Sequence, residues 1–352
     1  MWFPGTPRNK FIGVDIGSQT IKVCHLTQGR KGIFLNSLGL ANLPPSSIVN
    51  GIIKEPRLIA DALKSLVSHL QIKSKETVFA ISGYSVIIKK ITLPAISEKE
   101  LAQAIQYEAQ QHIPFDIKEV NLDFQILGPI KEDPDSMSVL LVAAKKETLN
   151  AYLEVINLSG LEACIADVAA FALANAYENK YELYSGPVAL VNLGASQITL
   201  HVLGQEGPVF TRDISLGGRQ LTEQIQSKLN LSFEQAEKIK LGWNRPPDQL
   251  DRIGPSYSSI VQNWMEEIKK VLDLLTASDP EDKPVKIVLS GGSSLLPGLP
   301  QFFSKGLHLP VELFNPFSQV RSDPQIFDPK YLKSVGPQLA IAFGLALRQK
   351  GK

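Results

Sequence analysis

The chain has 352 residues, of which 44% are hydrophobic and 20% are charged, and its formal net charge is +1. This length and apolar content allow two domains with buried cores and exclude a largely disordered chain, while the near-zero charge gives no reason to expect nucleic-acid binding. Cys24 and Cys164 are the only cysteines, and no run approaches the roughly 20 apolar residues that a spanning helix needs, so we expect a cytoplasmic chain without direct membrane insertion.

The first predicted element is a β-hairpin within residues 11–26, FIGVDIGSQTIKVCHL. An apolar run leads to Asp15, Gly17 allows a sharp turn, and a β-rich run resumes at Ile21. Such a turn directs several backbone N–H groups into one concavity that suits a polyphosphate, with Asp15 close enough to hold hydrated Mg²⁺. We predict phosphate contacts from Gly17, Ser18, Gln19 and Thr20. The alternative is an ordinary hairpin with a polar tip.

Alternating strands and helices are predicted between this hairpin and residue 187. Apolar patterning predicts strands at 32–40, 76–80, 86–93, 122–127 and 138–144, and helices at 56–70, 98–112, 146–159 and 167–178. Ser97 and Glu100 form the pattern of a capping box at the start of the second helix. Residues 77–165 are interpreted as an inserted module of βαββα type. Side chains alternate between the two faces of the second strand, and this alternation leaves open whether Lys22 faces the concavity of the hairpin.

A second hairpin repeats the first at a shift of 177 positions. Residues 14–17, VDIG, align with residues 191–194, VNLG, and the apolar Ile21 and Leu26 align with Ile198 and Leu203. The later tripeptide Ser-Leu-Gly at 37–39 recurs at 215–217 with a one-residue slip. These shared positions predict two homologous halves facing one cleft. Contacts from the second half are expected from Asn192, Gly194, Ala195, Ser196, Gly217 and Gly218, the two last at a helix start whose amides suit anions.

Two further motifs follow the second hairpin. Glu237 and Lys240 lie three positions apart on a helix predicted at 233–242, so both point the same way, although a surface ion pair would give the same spacing. After a Pro-rich loop predicted at 243–255 and a long helix at 257–276, a buried strand at 286–290 runs into Gly291, Gly292 and Ser293. Two glycines there allow a flat ligand to approach the main chain.

With these motifs in this order, the chain resembles the actin-like ATPase superfamily. Within its FtsA-like branch the chain is similar to the PilM family of type IV pilus assembly. The likeness is carried by residues 14–26, 91–128 and 207–225 and by the closing VGPQLAIAFGLALR, and it covers nearly the whole chain. It implies an α/β, duplicated actin-like (RNase H-like) fold, with two lobes around a nucleotide cleft and an inserted subdomain. The implied segments are 1–76 and 166–187 for the first lobe, 77–165 for the inserted subdomain, 188–335 for the second lobe, and 336–352 for a C-terminal helix on the first lobe.

The resemblance also implies ligands and partners. ATP and Mg²⁺ would occupy the cleft, with Glu237 on the ribose hydroxyls, Lys240 along the adenine, and the segment from Gly291 to Ser293 under the base. The partner would be the N-terminal cytoplasmic peptide of a PilN-type inner-membrane protein, bound in a groove between the inserted subdomain and the first half. The chain would then lie peripherally at the inner membrane, and self-association is a further expectation.

Asn192 departs from the superfamily's pattern, which has an aspartate here. An amide cannot accept a proton and holds metal and water less well, so we expect nucleotide binding with weak or no hydrolysis and assign no catalytic residue. The alternatives are an FtsA-like filament protein of cell division and a small-molecule kinase of the superfamily. The end of the chain directly after a core-type helix favours neither an FtsA-like membrane helix nor a linker before it.

Overall fold

The computed structural model describes residues 11–29, 32–49, 51–130, 133–181, 186–205, 207–243 and 247–349. Residues 1–10 of the predicted first lobe and 350–352 of the predicted C-terminal helix lie outside them. The strands are β1 (Ile12–Ile16), β2 (Thr20–Gly29), β3 (Gly32–Asn42), β4 (Ile48–Val49), β5 (Ile52–Ile53), β6 (Glu76–Ile81), β7 (Val86–Pro94), β8 (Val120–Ile130), β9 (Asp133–Lys145), β10 (Glu162–Val168), β11 (Val188–Leu193), β12 (Ile198–Gly204), β13 (Gly207–Ile214), β14 (Lys286–Ser290) and β15 (Val311–Leu313). The helices are α1 (Pro56–His69), α2 (Glu98–Gln110), α3 (Lys146–Leu158), α4 (Ala169–Glu178), α5 (Gly218–Leu229), α6 (Phe233–Lys240), α7 (Pro247–Ser278), α8 (Leu299–Leu307), α9 (Pro329–Val335) and α10 (Ala340–Ala346).

Each lobe contains a five-stranded sheet, and the two sheets have matching topology. The strand order is β10-β6-β1-β2-β3 in the first sheet and, read in the same direction, β15-β14-β11-β12-β13 in the second. Strand β1 therefore corresponds to β11, and β2 to β12. In both lobes the first hairpin is antiparallel and its first strand pairs in parallel with a later strand. The N–H of Gly17 donates to the carbonyl oxygen of Thr20 at 3.0 Å, and that of Gly194 to Gln197 at 2.9 Å. The repeat predicted from the hairpins therefore extends across both sheets.

Helices α4 and α10 form a tightly packed layer between the two sheets. Their core cluster includes Val78 of the first sheet and Leu190 of the second. A Cβ added to Gly13 of β1 would lie 2.1 Å from the carbonyl oxygen of Ala342, and one added to Gly344 would lie 1.7 Å from that of Ala172. The backbones thus contact directly, which requires residues without a side chain at these two positions.

The outer face of each sheet is covered by its own helices. Ile59 of α1 and Val155 of α3 are fully buried in the first-lobe cluster, and Trp264 of α7 and Phe303 of α8 are fully buried in the second-lobe cluster. Both lobes therefore have independent apolar cores in addition to the layer that joins them. In the part of the chain that the structure describes, no helix is long and apolar enough to span a bilayer.

The inserted subdomain is a three-stranded sheet, in the order β7-β9-β8, covered by α2. The predicted capping box is present: Ser97 accepts from the N–H of Glu100, whose carboxylate accepts from the N–H of Ser97. The subdomain is smaller than the predicted range 77–165, because β6 and β10 pair in parallel within the first-lobe sheet and α3 packs in the first-lobe core. A short apolar run does not reveal which sheet it joins, since its pairing partners are distant in sequence.

Helix α7 also differs from the predicted pattern. The helix begins at Pro247 and contains Pro255, whereas the sequence interpretation made residues 243–255 a loop. Proline is well tolerated in the first helical turn, where its missing N–H has no helical partner. Pro255 removes one hydrogen bond inside the helix, a cost that the packing of the rest of α7 against the second-lobe core offsets. Residues 244–246 lie outside the described residues.

Candidate functional site

The tips of the two hairpins meet between the lobes. The hydroxyl of Ser196 donates to that of Ser18 at 2.8 Å, and Nη2 of Arg219 donates to the carbonyl oxygen of Ser18 at 3.2 Å. Beside them lies a cavity of about 150 Å³, here called the cleft. Of the predicted site residues, those that line it are Asp15, Gly17, Ser18, Gln19, Thr20, Lys22, Asn192, Gly194, Ala195, Ser196, Glu237, Lys240, Gly291, Gly292 and Ser293.

Asp15 and Lys22 form an ion pair on the first-lobe side of the cleft. They are directly opposite each other in the β1–β2 pair, with Lys22 Nζ 2.9 Å from Asp15 Oδ2. The side chain of Lys22 therefore faces the cleft, which the sequence left open. No group of three or more His, Cys, Asp or Glu side chains suited to a metal occurs among the described residues. A Mg²⁺ ion here would thus be held by Asp15 together with water and ligand oxygens.

Tyr152 of α3 forms part of the cleft wall, and the sequence did not predict it. Its side chain is buried, and burial raises the pKa of its hydroxyl, with a smaller contribution from the negative charge of Asp15. The phenol therefore stays protonated and can act as a hydrogen-bond donor. The apolar periodicity of α3 marks this position only as a core-facing one, so no sequence signal distinguished it.

The second hairpin presents neutral groups where the first presents charges. Asn192 occupies the position of Asp15, and Thr199 faces it across the β11–β12 pair as Lys22 faces Asp15. The hydroxyl of Ser290 donates to Asn192 Oδ1 at 3.4 Å. Thr199 and its neighbour Gln197 both line the cleft. The sequence analysis did not single them out, although the shift of 177 positions would have identified them as the counterparts of Lys22 and Thr20.

Glu237 and Lys240 form a partly buried pair at the second-lobe wall, so the surface ion pair considered from the sequence is wrong. Lys240 Nζ lies 2.5 Å from Glu237 Oε1, and Lys240 is only 3% exposed. Thr222 of α5 donates to Glu237 and accepts from Lys240. Burial lowers the pKa of Lys240, an effect that the charge of Glu237 opposes. The pair is thus a fixed polar part of the wall.

Gly217 and Gly218 do not line the cleft but pack behind the second hairpin. The N–H of Gly218 donates to the carbonyl oxygen of Gly194 at 3.0 Å, and that of Arg219 donates to Ala195 at 2.8 Å. A Cβ on Gly217 would lie 2.4 Å from the carbonyl oxygen of Ala195. The helix amides that were expected to bind an anion are therefore used to support the hairpin backbone.

The segment after β14 closes the other end of the cleft. Gly291 has φ +85°, and a Cβ there would lie 2.4 Å from the carbonyl oxygen of Leu193. The hydroxyl of Ser293 donates to the carbonyl oxygen of Gly194 at 2.9 Å, which ties this segment to the second hairpin. Gln338, another lining residue that the sequence did not predict, lies next to Gly292. The absent side chain of the buried Gly291 leaves room for the Leu193 carbonyl, whereas that of the partly exposed Gly292 leaves the main chain open beside Gln338.

Comparison with known proteins identifies the family. A family model described as type IV pilus assembly protein PilM matches residues 13–350. The chain belongs to the PilM family. The solved structure of a PilM–PilN type IV pilus biogenesis complex matches with a TM-score of 0.85 and 30% identity, covering 97% of this chain and 99% of that chain. The predicted actin-like ATPase fold is thus confirmed.

More distant relatives share the fold of this PilM-family chain. The cell division protein FtsA of Streptococcus pneumoniae serotype 2 (strain D39 / NCTC 7466) is 24% identical over 353 residues, which cover 87% of this chain and 75% of FtsA. MreB5 of Spiroplasma citri, solved bound to AMPPNP, matches with a TM-score of 0.51 at 14% identity, covering 95% of this chain and 94% of MreB5. At this low identity the MreB5 match shows the fold alone.

Proposed function

We propose that this PilM-family chain is an ATP-binding scaffold of the type IV pilus assembly complex at the inner membrane. The observation that carries the proposal is the convergence of both hairpin tips, the Glu237–Lys240 pair and the Gly291–Ser293 segment on one cleft. These elements come from both lobes, and the sequence predicts nucleotide contacts from each of them. The binding of AMPPNP by MreB5, which has the same fold, supports a nucleotide of the ATP type in this cleft.

The charges around the cleft suit a polyphosphate. Lys22, Lys240 and Arg219 stand at or beside it, against the carboxylates of Asp15 and Glu237. The Nε of Arg219 is buried and has no hydrogen-bond partner within the described residues. Added phosphate oxygens would provide acceptors for such donors. Mg²⁺, when bound through water to Asp15, would neutralise phosphate charge, and Gln338 and the glycines near it would contact the base.

Hydrolysis by this cleft is expected to be weak or absent. Both carboxylates that line it are engaged, Asp15 by Lys22 and Glu237 by Lys240 and Thr222, and Asn192 cannot accept a proton. A single-turnover assay with labelled ATP, with and without candidate acceptors, separates this scaffold from a small-molecule kinase. Sedimentation with and without ATP tests the self-association that an FtsA-like filament would require.

The partner that we propose is the N-terminal cytoplasmic peptide of a PilN-type inner-membrane protein. The solved PilM–PilN complex supports a partner of this type, because it matches almost the whole chain. A second cavity of about 300 Å³ lies between the inserted subdomain, the start of α4 in the first lobe and β13 of the second lobe, so it borders the second lobe as well as the first half from which the groove was predicted. Its apolar lining includes Val86, Ile88 and Ala170, which suits the apolar side chains of a short peptide. Binding there would keep the protein cytoplasmic and peripheral at the membrane.

The test is a binding assay with synthetic N-terminal tails of PilN-type proteins, with and without ATP and Mg²⁺. We expect one tail to bind the unaltered chain, and Ile88→Glu, in the second cavity, to weaken that binding at least about tenfold, as expected for a charge placed in an apolar contact. Lys89→Glu is the matched control, because Lys89 is the exposed next residue on the same strand. If no tail binds under any nucleotide condition, the partner assignment is wrong.

A further inference from the structure

The cleft and the second cavity share a wall. Ser82, in the turn between β6 and β7, and Thr199 of β12 line both of them. The two cavities are therefore separated by one layer of side chains. A change in this layer would alter both binding surfaces.

Asp213 of β13 holds this wall together. Its Oδ1 accepts from the hydroxyl of Thr199 at 2.6 Å, and its Oδ2 accepts from the N–H of Gly83 at 2.8 Å. Gln197 donates from Nε2 to the hydroxyl of Thr199 at 3.1 Å, and its hydrogen bonding also lowers the pKa of the Asp213 carboxyl group. Thr199 and Gln197 belong to the second hairpin, whereas Gly83 directly precedes the inserted subdomain. One carboxylate thus links the phosphate side of the cleft to the start of β7.

Gly83 is closely fitted to the second hairpin. Its φ is +88°, and a Cβ there would lie 3.1 Å from Oε1 of Gln197. Gln197 in turn closes the hairpin turn by accepting from the N–H of Gly194. Movement of the hairpin tip would therefore be transmitted through Gln197 to Gly83. A parallel connection runs from the hydroxyl of Ser215 to that of Tyr84, 2.8 Å apart.

The hydrogen bonds that Asp213 accepts favour a single arrangement of its donors. Burial raises the pKa of its carboxyl group, whereas hydrogen bonds from Thr199, Gly83 and Gln197 lower it. Hydrogen bonds to an ionised group are stronger than those between neutral groups, and a buried carboxylate that loses one donor is strongly destabilised. The three donors are therefore expected to shift together when one of them moves.

We propose that Asp213 is a positioning residue that couples nucleotide occupancy of the cleft to peptide affinity in the second cavity. This inference rests on the proposed function of both sites. Phosphates between the hairpins would fix the turn from Gly194 to Gln197, and Asp213 would then hold Gly83 and β7 in the arrangement that the peptide binds. Coupling of this kind is reciprocal and commonly amounts to about 5-fold or more in affinity.

The experiment measures the affinity of a fluorescent synthetic PilN-type tail with and without saturating AMPPNP and Mg²⁺. In the unaltered chain we expect the nucleotide to tighten binding about 5-fold or more, and in the isosteric Asp213→Asn variant less than about 2-fold. Asp123→Asn, an exposed position in β8, is the control. Thermal melts of all three proteins check that Asp213→Asn is folded. A similar ratio in Asp213→Asn and the unaltered chain, or no coupling in the unaltered chain, would overturn the inference.

A second readout separates this inference from the proposed function. Hydrogen exchange of the β7 amides is expected to slow when AMPPNP and Mg²⁺ bind the unaltered chain and to remain unchanged in Asp213→Asn. This measurement needs no peptide, so it decides the inference even if no tail binds. Absence of AMPPNP binding to the unaltered chain contradicts the proposed function, and slowing that is equal in both proteins contradicts the role of Asp213.

Discussion

The hydroxyl oxygens of Ser18 and Ser196 lie 2.8 Å apart, although 178 positions separate them in the sequence. They belong to the tips of the two repeated hairpins, one from each lobe. A triphosphate bound between the hairpins would insert at this contact and replace it. The distance between these two residues is therefore a direct measure of lobe closure.

A disulfide between the two tips tests this arrangement. We expect the double variant Ser18→Cys, Ser196→Cys to crosslink under oxidised glutathione, because the two side chains already touch, and to gain about 2–4 kcal/mol of stability. AMPPNP with Mg²⁺ should slow crosslinking by separating the tips. Gel mobility without reductant measures the rate, and each single variant controls for Cys24, which is buried, and Cys164. Failure to crosslink without nucleotide would contradict the observed closure.

Removal of the Asp15 charge is expected to weaken Mg²⁺-dependent nucleotide binding. Asp15→Asn loses the charge that would hold hydrated Mg²⁺ and leaves Lys22 without its ion-pair partner. A charged hydrogen bond contributes about 1.5–3 kcal/mol, so we expect roughly a 10- to 100-fold loss in ATP affinity. Calorimetry with Mg²⁺ or with EDTA measures the change. Asp61→Asn, exposed on α1, is the control, and an equal affinity for both variants would exclude Asp15 from the site.

Gly291 is expected to tolerate no side chain. Gly291→Ala would place a Cβ 2.4 Å from the carbonyl oxygen of Leu193 in a residue with φ +85°, for which we expect a loss of about 1–3 kcal/mol. Gly254→Ala is the matched control, because Gly254 lies in α7 with open space where a Cβ would stand. That substitution should stabilise the helix by about 0.5–1 kcal/mol. Thermal melts should shift in opposite directions, and a shift in the same direction would contradict the prediction.

Protonation of His201 is expected to destabilise the folded state in acid. The side chain is fully buried on β12, its Nδ1 lies 2.7 Å from the hydroxyl of Thr211, and burial lowers its pKa to about 4. Because the unfolded chain binds this proton near pH 6.5, stability is complete above that pH and falls as the pH drops toward 4. The loss is about 3 kcal/mol.

The variant His201→Gln is expected to lose less stability than the unaltered chain between pH 7.5 and pH 4.5. Thermal melts at the two pH values measure the difference. His69→Gln, at an exposed position on α1, should behave as the unaltered chain does. An unchanged acid dependence in His201→Gln would show that another group causes it.

Local patterns in the sequence were sufficient to predict the two hairpins and most of the residues that line the cleft. Each hairpin is specified within about a dozen residues by strand propensity and one glycine, and the shift of 177 positions linked the two. The capping box at Ser97 was equally local. Because both hairpins approach the same point, predicting them also predicted which residues converge there. The use of Gly217 and Gly218 behind the hairpin could not be derived in this way, since it depends on carbonyl groups of another segment.

By itself the sequence determined the duplicated halves, the repeated turns and most of the residues that line the cleft, because these follow from short-range propensity and from repetition. The actin-like fold was implied by the resemblance to a known superfamily. Only the tertiary structure decided that Lys22 faces Asp15, that β6 and β10 join the first-lobe sheet, that Tyr152 completes the wall, and that Asp213 connects the two cavities. The physical reason is that strand pairing, burial and side-chain hydrogen bonds depend on neighbours distant in the chain. No local pattern specifies such neighbours.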